Sequence, residues 1–112
     1  MASPSIHDPA LGLKYVGNNE GLYRKILGKF ADQQANAAVA IEEAISAGDE
    51  ELAHRLAHTL KGLSASMGLP ALVESATALD TDFKNGGKGA DIIPVVRANL
   101  EEALAAVREY LG

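Results

Sequence analysis

The 112-residue sequence predicts an all-α fold, an up-down-up-down four-helix bundle with a short N-terminal helix or turn, and three observations carry that expectation. Apolar residues recur at three- and four-residue steps through four long segments, the spacing that lays a single stripe along a helix. Glycine, asparagine and proline mark the joints between those segments, and joints of only a few residues favour antiparallel neighbours. Hydrophobic residues make up 47% of the chain and aromatic ones only 4%, and a composition carried by Ala, Leu, Ile and Val suits helices better than sheets.

Residues 1–8 are expected to form a disordered tail and residues 9–112 a single domain, large enough for one hydrophobic core and too small for two. The tail leads into a helical turn around Pro9 to Tyr15. The first long helix follows Gly17-Asn18-Asn19 and places Leu22, Ile26, Phe30, Ala37, Ile41 and Ile45 on one stripe. It stops at Gly48, a natural helix C-terminal residue. Asp49 supplies the next N-cap, with Glu50 and Glu51 in the first turn, where the helix dipole favours negative charge. This second helix should run to about Met67 and end at Gly68. Pro70 fits the opening turn of a third helix, whose stripe is Leu69, Leu72, Val73, Ala76, Leu79 and Phe83. The stretch Asn85-Gly86-Gly87-Lys88-Gly89 reads as a flexible loop. Asp91 is the expected cap of the last helix, with Pro94 tolerated in its first turn and Ile92, Val95, Val96, Leu100, Leu104, Val107 and Leu111 as its apolar positions.

The formal charge of -5 and the absence of any Lys or Arg run remove the electrostatic footprint of a nucleic-acid binder or a polybasic membrane anchor. Proteins are therefore the expected partners. The chain has no cysteine, which excludes a disulfide scaffold, a thiolate metal site and a cysteine nucleophile together. No apolar run approaches the roughly 20 residues that span a bilayer, and the opening "MASPSIHDPA" lacks the charged and apolar parts of a signal peptide. A cytoplasmic domain is expected. The same opening resembles a cut boundary as much as a natural start, so the chain reads as a piece of something larger.

The second long helix departs from the ordinary. On a wheel of about 100° per residue with Leu52 at zero, Leu52, Leu56, Leu60, Leu63 and Met67 fall between about 0° and 80° and define the core stripe. Lys61, His54, Ala65, His58 and Gly62 fall between about 180° and 280°, away from it. Exposed helix faces normally carry Glu, Lys, Gln and Arg, whereas here the neighbours of His58 are small. Gly62 sits inside a helix where glycine costs roughly 1 kcal/mol relative to alanine. Small residues around an exposed imidazole leave the ring open to something broad and flat. Lys61 leans toward the helix N-terminus and is expected to reach back toward His58, where its charge would stabilise an anion on the ring and keep more of the imidazole neutral. A neutral imidazole beside a fixed cation suits phosphoryl acceptance, which depends on positioning and charge neutralisation.

The stretch "LAHTLKGLSASMG" resembles the signature of histidine-containing phosphotransfer (HPt) domains: His58, Lys61, Gly62, the small Ala65 and Gly68 occupy its positions. "GNNEGLYRKILGKF" and "AISAGDEELAHRLAH" look like the opening of the family's first long helix and its usual inter-helix turn, so the likeness covers roughly residues 9 to 111. The resemblance implies a phosphocarrier, not an enzyme, that takes a phosphoryl group on His58 from one receiver-domain aspartate and passes it to another. Lys61 would be its charge partner and Gly62 the clearance for the receiver, with His54, Ala65 and Gly68 on the docking face. It implies no cofactor of the domain's own, Mg²⁺ on the receiver, a monomer, and a hybrid sensor kinase as partner in cis or in trans. Many members hold the histidine with a glutamine on the following helix. The aligned residue here is Asp80, a carboxylate at the edge of the third stripe that needs a partner, either the imidazole or a basic side chain.

Plainer readings stand beside these. His54 and His58 form an i, i+4 pair that could bind a transition metal, but no further ligands are evident, and His54 reads better as a surface or rim residue. His7 lies in the tail with no role. Ser64 and Ser66 have no acid, base or oxyanion arrangement about them and read as helix filler. Gly12, Gly28 and Gly86 to Gly89 lack the strand-glycine-helix context of a phosphate loop. An interaction module of the same shape that never carries phosphate is the alternative function.

Overall fold

The computed structural model describes residues 4–112, and the part of the expected disordered tail at residues 1–3 lies outside them. Among the described residues there is no strand. Six helices follow one another: α1 (Pro9–Lys14), α2 (Glu20–Gln34), α3 (Ala37–Ser46), α4 (Glu50–Met67), α5 (Pro70–Lys84) and α6 (Ile93–Leu111). Helix α4 is the hub and packs on α1, α2, α3 and α5, while α6 closes the core against α2, α3 and α5.

The caps explain most boundaries. The side chains of Asp8, Asn19 and Asp49 each accept a hydrogen bond from the amide three residues on, at the starts of α1, α2 and α4; each satisfies an amide that lacks an intrahelical partner. Gly48 and Gly68 take left-handed conformations past the ends of α3 and α4, with φ of 76° and 75°, as helix-ending glycines do.

The expected first long helix is two. Ala35 and Asn36 interrupt it, and Asn36 has φ -106° and ψ 18°, outside the helical well, and caps α3 without a side-chain hydrogen bond. The α2 stripe is also shifted in its first turns: Tyr23 and Leu27 are buried, Leu22 is 44% exposed and Ile26 packs at the edge, while Phe30 is buried as expected, with Ala31 beside it. In α4 the buried set is Ala53, Ala57, Leu60, Ser64 and Met67, and Leu52, Leu56 and Leu63 pack against the core from its edge. Small alanines at the centre let α3 and α5 approach closely, and the leucines fill the flanks. Ser64 is therefore not filler: it is fully buried and returns its hydroxyl to the Leu60 carbonyl.

At α6 the expected Asp91 cap is absent. Asp91 is exposed, and Ile92 stands at the N-cap without a side-chain hydrogen bond. The Gly89 carbonyl takes over the work, accepting from the Ile92 and Ile93 amides at 3.0 and 2.8 Å. Asp82 holds that glycine, accepting from the Gly89 amide at 2.8 Å, so the glycine loop is tied rather than free. Val95, expected on the stripe, is 50% exposed.

Residues 4–8 lie against the bundle, where the sequence predicts tail. The Asp8 amide donates to the Gly68 carbonyl and the Ala71 amide to the Ser5 carbonyl. His7, expected to have no role, places Nε2 2.8 Å from the Tyr23 hydroxyl, which itself donates to the Met67 carbonyl at 2.6 Å. Burial lowers the His7 pKa more than the neighbouring Asp8 charge raises it.

Candidate functional site

The site is assembled by two helices. Helix α4 offers His54, His58 and Lys61 on successive turns, because steps of three and four residues share a face. Helix α5 offers Asp80. Pro70 starts α5, and burial of Leu72, Ala76 and Leu79 fixes its rotation, which turns Asp80 toward α4. The Asp80 side chain is 4% exposed, that of Lys61 30%, and that of His58 68%. The ring thus stands in solvent above a carboxylate that does not.

Lys61 Nζ donates to Asp80 Oδ2 at 3.0 Å. The other carboxylate oxygen, Oδ1, lies 2.9 Å from His54 Nε2 and 3.4 Å from His58 Nδ1. Those separations are within ion-pairing reach, yet the ring N–H directions leave Oδ1 without an aligned hydrogen bond. Burial is the largest single influence on Asp80 and opposes its ionisation, but the Lys61 ammonium, with His58 and His54, outweighs burial and holds the carboxyl below its usual range. Asp80 is therefore an anion at neutral pH, neutralised on one side by a fixed cation.

This geometry revises two expectations. Lys61 does not reach for the imidazole; its ammonium is spent on the carboxylate beneath the ring. Of the two alternatives for Asp80, the basic partner is realised through Lys61, while the His58 imidazole stands 3.4 Å from Oδ1 without an aligned hydrogen bond. A third residue, His54, was expected on the docking rim and instead approaches Asp80 more closely than His58 does. Its ring also lies edge-on to Phe83, 6.3 Å away at 62°. The sequence holds only the ingredients, a lone carboxylate at one stripe edge and two histidines one turn apart on the preceding helix, without the helix rotation that brings them together.

The glycines of the motif divide. A Cβ built at Gly62 meets nothing within 4 Å, so the helix surface beside His58 is open. Ala65 is half-buried farther along the same face. Gly68, expected on the docking face, is buried; a Cβ there would collide with the Asp8 carbonyl, and Gly12 N would lie 2.8 Å away. That glycine serves the fold, letting the N-terminal segment cross the end of α4. Beside the ring runs an open groove lined by Glu51, His54, Arg55, His58 and Lys84.

Among the described residues no group of three His, Cys, Asp or Glu side chains has the disposition to hold a metal ion. What the cluster can do is present one imidazole nitrogen to solvent while the other faces an anion. Such a ring is a nucleophile whose gain of positive charge is met from behind.

The family model described as "Hpt domain" matches residues 25–110, most of the chain and all of the cluster. No curated protein and no solved structure matches it.

Proposed function

We propose, since the chain belongs to the Hpt domain family, that it accepts a phosphoryl group on His58 from a receiver-domain aspartate and passes it to another receiver domain. Hpt domains have a phosphotransfer role in two-component signalling; they are phosphocarriers, not enzymes in general, and they work with response-regulator receiver domains. The observation that carries the reading for His58 is its exposed ring, whose Nδ1 faces the buried Asp80 anion and whose Nε2 is left for a partner.

The Nε2 lone pair attacks the phosphorus of the receiver's aspartyl phosphate, a P–N bond forms, and the P–O bond to the aspartate breaks with its electron pair leaving on that carboxylate. The ring gains positive charge, shared with Nδ1–H, and Asp80 stabilises it as a carboxylate stabilises an imidazolium in hydrolytic triads. Lys61 keeps Asp80 from presenting an uncompensated negative charge to the incoming phosphoryl group. The reverse step, onto a second receiver, uses the same groups. The Mg²⁺ that neutralises the phosphoryl oxygens belongs to the receiver in this scheme.

Gly62 and Ala65 give clearance for the receiver, and His54 is adjacent to its footprint. In this reading the bundle runs up-down-up-down, with α2 and α3 together as the first member, and the domain acts as a cytoplasmic monomer. A hybrid sensor kinase, in cis or in trans, is the source of the phosphoryl group. The test is transfer from a labelled, phosphorylated receiver: the wild type takes up acid-labile label and His58→Gln takes up none, while both give the same helical spectrum. Uptake by His58→Gln at the wild-type level would sink the assignment, and binding without any label in the wild type would point to the phosphate-free interaction module.

A further inference from the structure

We propose that His54 is a positioning residue for the phosphoacceptor: it pins the Asp80 carboxylate so that the remaining lone pair of Oδ1 holds His58 in its Nδ1–H tautomer, with Nε2 free. The role of His58 itself is taken from the function proposed above; the inference concerns what sets the state of its ring.

Three observations support it. Asp80 Oδ1 is buried and lacks an aligned donor, a costly condition for a charged oxygen, and the imidazole nitrogens within reach of it are His54 Nε2 at 2.9 Å and His58 Nδ1 at 3.4 Å. Lys61 fixes Oδ2 alone, and one anchor leaves the carboxylate free to turn about it; a second anchor at Oδ1 sets its plane. His54 is suited to be that anchor because Phe83, three residues beyond Asp80 on α5, walls its ring, whereas His58 stands in solvent and has no such wall.

The chemistry then follows from what a carboxylate can accept. An ionised carboxylate has no proton to give, so a neutral imidazole meets it through N–H. Each oxygen has two lone pairs, so Oδ1 serves both rings: His54 through Nε2–H and His58 through Nδ1–H. The nitrogen opposite the bond on His58 is then the unprotonated one, the atom that must attack phosphorus.

The measurement is the ¹⁵N spectrum of the imidazoles of the full chain above the ordinary histidine titration range, in wild type, His54→Gln and His54→Leu, with transfer rates from a phosphorylated receiver alongside. Gln retains an N–H donor and Leu does not. Wild type and His54→Gln should show His58 protonated at Nδ1, and His54→Leu a mixture with Nε2–H. Transfer should fall roughly tenfold in His54→Leu and stay within about twofold in His54→Gln, by analogy with the loss of at least about tenfold when a partner that orients a metal-binding histidine is removed. Unmixed Nδ1–H in His54→Leu would overturn the proposal, as would a gain in transfer, which would mean the two rings compete for Oδ1. If the tautomers respond as described but the wild type carries no phosphate, the positioning stands and the phosphocarrier reading fails.

Discussion

Asp80 is the residue on which the site turns. It is a buried anion shared among three basic side chains of another helix, and its removal leaves Lys61 facing a neutral group. Because Lys61 is 30% exposed, its ammonium can turn to water, so Asp80→Asn should cost about 1–3 kcal/mol, the range for an unmade buried polar contact rather than for a fully buried ion pair. The sign of the pH dependence follows from the lowered pKa. A depressed carboxyl contributes stability above its unfolded pKa of about 3.9, and that contribution is lost as pH falls through the folded value. Denaturation of wild type and Asp80→Asn should therefore differ most near neutral pH and converge in acid; a gap that persists unchanged at low pH would show that charge is not what Asp80 supplies. That His58, Lys61 and Gly62 lie near one another was legible in the sequence because one helix carries all three. The tie between His54 and Asp80 was not, since it joins two helices whose relative rotation depends on burial of Leu72, Ala76 and Leu79.

At the scale of the element, α4 carries one glycine and is ended by another, and the two have opposite demands. Gly62 has helical geometry and open space where a Cβ would stand, so Gly62→Gln should raise stability by up to roughly 1 kcal/mol through helix propensity. The same side chain should slow transfer by obstructing the receiver. Gly68 has φ 75° and no room for a Cβ; Gly68→Ala should cost at least about 1–2 kcal/mol for the left-handed backbone alone. Melting of the two variants in opposite directions checks both, and destabilisation by Gly62→Gln would remove the case that this glycine serves the partner. Motif spacing made the two glycines look alike. The helix end at Gly68 was readable, but the crossing of residues 8 and 12 over it, which buries that glycine, was not, because no local pattern encodes a crossing. The break at Ala35 and Asn36 was missed for a related reason: the apolar steps continue across it, and a single Asn inside a periodic run is a weak stop signal.

For the whole molecule, His7 and Tyr110, from opposite ends of the described residues, meet at Tyr23 in the bundle. Tyr23 is fully buried, donates to the Met67 carbonyl at the end of α4, meets His7 from the N-terminal segment, and stacks edge-on with Tyr110 near the C-terminus. Tyr23→Phe removes the hydroxyl that serves both partners and should cost about 1–2 kcal/mol. Burial, then the charges of Tyr110, Asp8 and Glu20, push the Tyr23 phenol from 10.0 up to about 12. A raised pKa means the stabilising protonated form is fully present below the unfolded value and is lost as pH rises through the folded one. Wild type should lose stability between about pH 10 and 12, and Tyr23→Phe less; equal alkaline losses in the two would place the sensitivity elsewhere. The helical class and the order of the segments were readable from periodicity and caps. The strap formed by residues 4–8 was not, because its contacts are single hydrogen bonds across long sequence separations.

The central claim is that His58 Nε2 carries the phosphoryl group, and the most direct measurement is the ³¹P–¹⁵N coupling in the ¹⁵N-labelled domain after transfer from a phosphorylated receiver. The predicted result is one phosphoramidate, coupled to Nε2 of His58, with Nδ1 of the same ring protonated. Coupling to Nδ1, phosphorus on His54, or no phosphoramidate at all would contradict it.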